Sequence, residues 1–413
     1  MVTRSRAGES RVPRCLWPIV VAVLAISMVA AAARPSEAQR KKLEMPPEVA
    51  ALYNDYPVIE LVTMGIGSLI WERHGHIALC VRESPREGTC YNYGIGDYAD
   101  PINMASGFFR GDKSFWVGPQ DPSSLMYGYQ AADRTIWVQP LPLTSEQEQK
   151  VIAKLKFDIQ KEHRYYAYDH FWDNCTTRVR DILDDATGGV LRNLEVKSDG
   201  KTYRDLAREG FYGMRIPLLI TDFAMGRATD RVPSFYEKMF LPDYMREAAT
   251  LAWGIQPLVA YQRQGPPPLK DGPSGRVILL GLVLLLITPA VVTFFVGRWH
   301  TAGLWVPIIP AVLFGLAFWF LTIISPLPYI RWNETCLVLM PIDLMLVVGP
   351  LKWRRVYGKA RVVMLLMVTA LWIIGVLKQP LWPIIPLTLV PALLVGFGGA
   401  VRERISVWRS AMA

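Results

Sequence analysis

Two hydrophobic patterns divide the chain. Up to about residue 264 apolar and polar positions alternate or recur at helical spacing, and beyond it long apolar runs follow one another. In the first part Val58-Ile59-Glu60-Leu61-Val62, His76 to Val81 and Thr89 to Gly94 read as strands, the last two joined by a turn through Ser84 to Gly88. A further strand is predicted over Thr135 to Pro140. Thr144-Ser145-Glu146-Gln147 has the form of a capping box and opens a helix to about Lys161, with Val151, Ile152, Leu155 and Ile159 on one face. A second helix is predicted behind Asp173 and Asn174, both N-cap residue types, because Val179, Ile182, Leu183 and Ala186 recur at helical spacing until Gly188 and Gly189. Residues 195–250 are less legible; Leu206, Phe211 and the run Pro217 to Ile220 read as packing or membrane-surface contacts. Strands followed by helices make this part an α+β domain.

The second part reads as membrane. Gln264-Gly265-Pro266-Pro267-Pro268 and Asp271 to Gly275 form a stiff, then flexible linker over 265–276. Five spans are predicted within 277–401, at about 277–296, 304–324, 335–351, 362–377 and 382–401. At the other end, Arg4, Arg6, Arg11 and Arg14 precede an apolar run from 15 to 33 and then Ser36-Glu37-Ala38, so 1–38 is an export signal or, if retained, an anchor. Both readings put 39–264 outside the cytoplasm. Arg298, the group Lys352, Arg354, Arg355, Lys359 and Arg361, and Arg402, Arg404 and Arg409 then all fall on the inner side, leaving the tail 402–413 cytoplasmic in an inner membrane. Glu334 and Asp343 are polar groups at membrane depth or its edge, serving either function or helix–helix hydrogen bonding.

Composition agrees with that division. Of 413 residues 51% are hydrophobic, and the net charge of +9 clusters beside apolar runs, which makes it an orientation signal and not a nucleic-acid surface. Five cysteines without a Cys-x-x-Cys pair make neither a disulfide framework nor a zinc pattern, so no metal or other cofactor is expected.

Cys175 falls in the first turn of the second helix, where unpaired N–H groups and the helix dipole favour thiolate and offer donors to an oxyanion. The plain alternative is a small buried hydrophobe. A nucleophile needs a base, and there are five histidines. His300 lies beyond the linker, and His163 and His170 precede the helix and read as surface or packing residues. His74 and His76 lie two apart on a predicted strand and so share a face. If Cys80 and Cys90 are directly opposite, Asn92 stands diagonal to His76, and a Cys-His-Asn arrangement of papain type becomes available. That register also admits a Cys80–Cys90 disulfide; two reduced core cysteines are the other reading.

Gly75-His76-Ile77-Ala78-Leu79, Tyr91-Asn92-Tyr93-Gly94, Tyr166-Ala167-Tyr168 and Asp173 to Asp181, in that order ahead of a multi-span C-terminus, resemble the Lnb family of bacterial lipoprotein N-acyltransferases. The likeness covers about residues 55–190, and Asp-Asn-Cys-Thr-Thr-Arg is its specific part. His before Cys also resembles the permuted papain-like (NlpC/P60-like) group. The resemblance implies that Cys175 is the acylated nucleophile and His76 its base; a departure from relatives places His74 before the Gly-His pair. Tyr168, Arg178 and His74 are candidate substrate-binding residues. The implied substrates are membrane phospholipids and lipoproteins whose N-terminal cysteine is lipid-modified. The alternative is an anchored papain-like hydrolase of cell-wall peptides or lipid esters.

Overall fold

The computed structural model describes residues 45–399 apart from 270, 273 and 299. The export segment 1–38 and the tail 402–413 lie outside the described residues. One antiparallel sheet organises the first part: β1 Val58–Met64, β2 His76–Arg82, β3 Gly88–Ile95, β4 Phe115–Gln120, β5 Ile136–Pro140, β6 Tyr165–Tyr166 and β7 Leu258–Tyr261. Its order is β6-β4-β3-β2-β1-β5-β7. Every residue of central β1 is buried, so both faces must be covered. Ile77, Leu79, Tyr91 and Tyr93 point to one face, and Ala78, Cys80 and Cys90 to the other.

In the same part, α1 Pro47–Leu52, α2 Pro101–Arg110, α3 Pro122–Ala131, α4 Ser145–Asp158, α5 Cys175–Ala186, α6 Tyr203–Gly210, α7 Arg215–Ala224 and α8 Pro242–Trp253 follow in chain order. The helices α4, α5 and α8 bury Val151, Leu155, Val179, Leu183 and Met245 against the first face, each such side chain contributing roughly 1.5–3 kcal/mol of transfer energy. Leu125 of α3 covers the other. The predicted β1, β2, β3 and β5 are present, and Thr144 caps α4 through the expected box with Gln147. Unforeseen was β4, whose Gly118-Pro119 argues against a strand; β6 pairs only with Phe115 and Trp116, so beyond them β4 is an edge that tolerates proline. Residues 195–250, illegible in sequence, are largely helical, and α7 lies against the first membrane helix.

Among the described residues three helices are long and apolar enough to cross a membrane: α9 Gly275–Val296, α10 His300–Ile324 and α11 Leu351–Ile373. A shorter apolar helix, α12 Ile385–Gly396, follows. The expected third span at 335–351 is not a helix. It breaks into a single turn, Thr335–Val338, and a 3-10 segment, Pro341–Leu346, with Met340 before the proline in extended backbone. The broken stretch runs back along α10: Cys336 Sγ lies 3.6 Å from Thr322 Oγ1, Leu339 O packs on Gly315, and Leu346 clusters with Leu304 and Ile308. Arg361 of α11 donates to the freed carbonyls of Leu337 and Val338 and to both carboxylate oxygens of Asp343. Non-helical backbone at membrane depth is stable only when partnered inside the protein in this way.

The two parts are interlocked. Leu327, Tyr329 and Ile330, between α10 and the broken stretch, insert among Phe171, Tyr203 and Phe240 of the sheet domain, and Gly226 N–H donates to Tyr329 O at 2.7 Å.

Candidate active site

Asn174 is the N-cap of α5: its Oδ1 accepts from Thr176 N–H and Thr177 N–H at 2.8 and 2.9 Å. Its Nδ2 donates to His170 O and Phe240 O, so every polar atom of the cap is engaged. Asp173, the other residue of N-cap type, instead takes a bidentate pair from Arg178. Two of the helix N–H groups expected to be free at Cys175 are therefore taken by the cap.

Cys175 opens the helix and is 8% exposed, part of the α5-face core. Burial pushes its thiol up from the ordinary value, against hydrogen bonds from Thr176 Oγ1, Ile77 N–H and the first helical N–H groups. In this closed arrangement the group is a thiol, the opposite of what the helix N-terminus alone favours.

The Ile77 N–H beside the sulfur is one residue along from His76. His76 Nε2 lies 3.3 Å from Asn92 Oδ1, and Asn92 Nδ2 donates to Gln120 Oε1 at 3.2 Å. That network orients the amide and holds the Nε2–H tautomer, leaving Nδ1 basic. Burial, aided by the charge of Arg134 and opposed by the Asn92 hydrogen bond, lowers His76 to about 4, so it is neutral at pH 7. Its ring stacks on Tyr129 at 6.0 Å, with the Arg134 guanidinium 4.6 Å over the same tyrosine.

The register needed for this geometry is present: Cys80 faces Cys90 and Ala78 faces Asn92, with a disulfide joining the two cysteines. Of the two open readings for that pair, the structure therefore takes the cross-strand bond.

His76 extends from the α3 face and Cys175 lies on the α5 face. The sheet is irregular between them, where β3 shifts register between Asn92 and Ile95. Gly94 stands at that irregularity with φ of 81°, and a Cβ there would lie 3.6 Å from Cys175 Cβ and 3.2 Å from Tyr168 Cε2. Among the described residues no hydrogen bond joins the sulfur to an imidazole; its polar neighbours are Thr176 and the Ile77 amide.

His74 does not share a face with His76. The strand begins at His76, and Gly75 before it has φ of 78°, which breaks the alternation the pattern implied. His74 packs edge-on to His170 and Phe211, with its Nε2 2.9 Å from Ala207 O. Arg178, sequestered by Asp173, also lies 4.1 Å over the Tyr166 ring. Tyr168 stays beside the site, against Gly94 and Phe115. Sequence reasoning missed Tyr98, Tyr129 and Gln120; they come from separate elements, and no local spacing marks them. Among the described residues no three His, Cys, Asp or Glu side chains group as metal ligands.

Residues 50–209 match the family described as the Lnb N-terminal periplasmic domain. Over these residues the chain is similar to that family's domain. No curated protein and no solved structure matches the chain. The matched residues include Cys175, His76 and Asn92, and helices able to cross a membrane follow them.

Proposed function

We propose that the protein is a membrane-bound acyltransferase that N-acylates the lipid-modified N-terminal cysteine of bacterial lipoproteins through a thioester on Cys175. The observation that carries this reading is the Cys175 sulfur at the start of α5, held against the backbone N–H of Ile77, the residue that follows a neutral, Asn92-oriented His76 in β2. His76 removes the thiol proton as sulfur attacks the ester carbonyl of a phospholipid, and returns it to the departing lysolipid oxygen. The lipoprotein amine then attacks the thioester, passes a proton through His76 and regenerates the thiol. The tetrahedral oxyanions are met by the backbone N–H groups of Cys175 and Ile77.

The finer architecture belongs to the same proposal. It comprises a permuted papain-like domain on the periplasmic side of the inner membrane, five crossings of which the third is the broken stretch, and a cytoplasmic C-terminus. A thiol buried in a domain interlocked with membrane helices favours transfer over hydrolysis, because water is excluded at the acyl-enzyme stage.

The test is mass spectrometry of lipoprotein N-termini in cells lacking other N-acylating enzymes, with this protein or its Cys175→Ala form. An added acyl mass that depends on Cys175 is expected. Acyl addition that survives Cys175→Ala rejects the mechanism, and cell-wall peptide release without acyl addition favours an anchored hydrolase.

A further inference from the structure

Five large apolar side chains on the segments that flank β2 and β3 are open to the outside. Leu69, Ile70 and Trp71, on the 3-10 turn before His76, are each 45–48% exposed, and Ile102 in the first turn of α2 is 80% exposed. The fifth, Tyr98, stacks on Trp71 with ring centroids 5.2 Å apart. Its hydroxyl lies 3.5 Å from the carbonyl of Gly94, the residue over Cys175. An apolar lip thus lies outside Gly94, with Tyr98 as its link to the nucleophile. Exposed apolar groups gathered at one mouth mark a binding surface.

Two ties set the lip at the membrane boundary. On one side the end of α2 packs against α10, and Gly111 abuts Pro326, two residues past the end of that helix. On the other, Arg73 beside the lip donates to Gly210 O and Tyr212 O at 2.8 and 3.0 Å. Tyr212 in turn packs on Gly272, three residues ahead of α9. The first turn of α9 is crossed by α7, with Leu218 O against Gly275, and α7 leaves Ile216 71% exposed. The lip is therefore fastened next to the start of α9 and the end of α10, the two ends of that helix pair nearest the domain. Tryptophan and tyrosine among aliphatic side chains suit the zone where water meets lipid.

We propose that Leu69, Ile70, Trp71, Tyr98 and Ile102 form a lipid mouth, which dips into the bilayer boundary and takes an acyl chain of a membrane phospholipid. That the chain is delivered to Cys175 rests on the acyl-transfer reading; the lipid contact does not. The experiment uses the full chain in vesicles of phosphatidylethanolamine and phosphatidylglycerol, doped with a phosphatidylcholine bearing a diazirine on one acyl chain. After illumination, adducts are expected on peptides containing residues 69–71 and 98–102 as well as on α9, α10 and α11. Adducts confined to the membrane helices overturn the proposal.

The exposed double variant Leu69→Asp/Ile70→Asp is expected to lose the lip adducts and to raise KM for vesicle phospholipid at least tenfold. Its Cys175 should be alkylated by iodoacetamide at the unchanged rate, which shows the fold is intact. An unchanged KM with unchanged adducts also overturns the proposal. Lip adducts in a protein that acylates no lipoprotein uphold the mouth and sink the acyl-transfer reading instead.

Discussion

The imidazole of His76 and the amide of Asn92 meet at 3.3 Å across the β2–β3 ladder, diagonal partners on one face of the sheet. Because Asn92 is itself held by Gln120, the imidazole has one preferred tautomer and orientation.

Replacing Asn92 tests that relationship. Asn92→Ala is expected to slow thioester formation on Cys175 by roughly tenfold or more, a part of the 10²–10⁴ that a positioned base supplies. Asn92→Asp keeps a hydrogen bond and adds a charge that favours imidazolium, so the acid limb of the rate profile should move up from near pH 4. Intact-mass kinetics with an ester donor read both. An Asn92→Asp limb that stays in place would count against His76 as base.

Gly94 is the second control point. Gly94→Ala puts a methyl against Tyr168 and Cys175 at a backbone angle that costs about 1–2 kcal/mol for a non-glycine residue. Gly188→Ala, at φ of 71° with nothing within 4 Å, carries the same backbone strain alone. Both should lower the melting temperature by similar amounts, but only Gly94→Ala should cut alkylation and acylation of Cys175 at least tenfold. Equal loss in the two would mean that the gap in the sheet has no role.

Acid stability follows from the buried histidines. Burial lowers His74 and His76 to about 4 and takes His170 well below its ordinary value. Each folded value lies below the unfolded one near 6.5, so as pH falls the unfolded chain binds protons first and stability drops between about 6.5 and 4. Asp169, lifted to about 6 chiefly by burial, works the other way and offsets part of this. Melting temperature in detergent should therefore be level from pH 8 to 7 and decline below 6.5, less steeply in His74→Gln. A melting temperature that rises on acidification would contradict the burial of these rings.

Asp343 and Arg361 form a fully buried ion pair in the membrane part, at 2.7 Å. Arg361→Leu leaves the buried Asp343 carboxylate with only the Tyr357 hydroxyl and frees two carbonyls, and should cost about 3–5 kcal/mol. Adding Asp343→Leu removes the stranded charge and should recover part of the loss, but not all, since the carbonyls of Leu337 and Val338 stay unpaired. A double-mutant cycle by thermal unfolding measures this; full recovery would mean that Arg361 does not hold the broken stretch.

The local pattern of the chain determined a good deal. Alternation marked β1, β2, β3 and β5, and the capping box of α4 and an N-cap for α5 at Asp173 or Asn174 could be read because a cap is made by residues within one turn of each other. The position of Cys175 at a helix start follows from helical periodicity, and the shared face of His76 and Asn92 from strand periodicity once the hairpin register is set. The register of that hairpin needed one assumption, that Cys80 faces Cys90, and the fold satisfies it.

Other features depend on neighbours far along the chain. Hydropathy counts apolar residues and is blind to the partners of a backbone carbonyl. It could not show that 335–351 is held as a broken stretch by an arginine 18 residues beyond Asp343. It was equally blind to Gly75 turning His74 away from His76, and to burial overriding the helix dipole at Cys175. Periodicity assigns a residue to a face; only tertiary packing decides what stands opposite it and how much water is left there, and those two quantities set the state of the thiol.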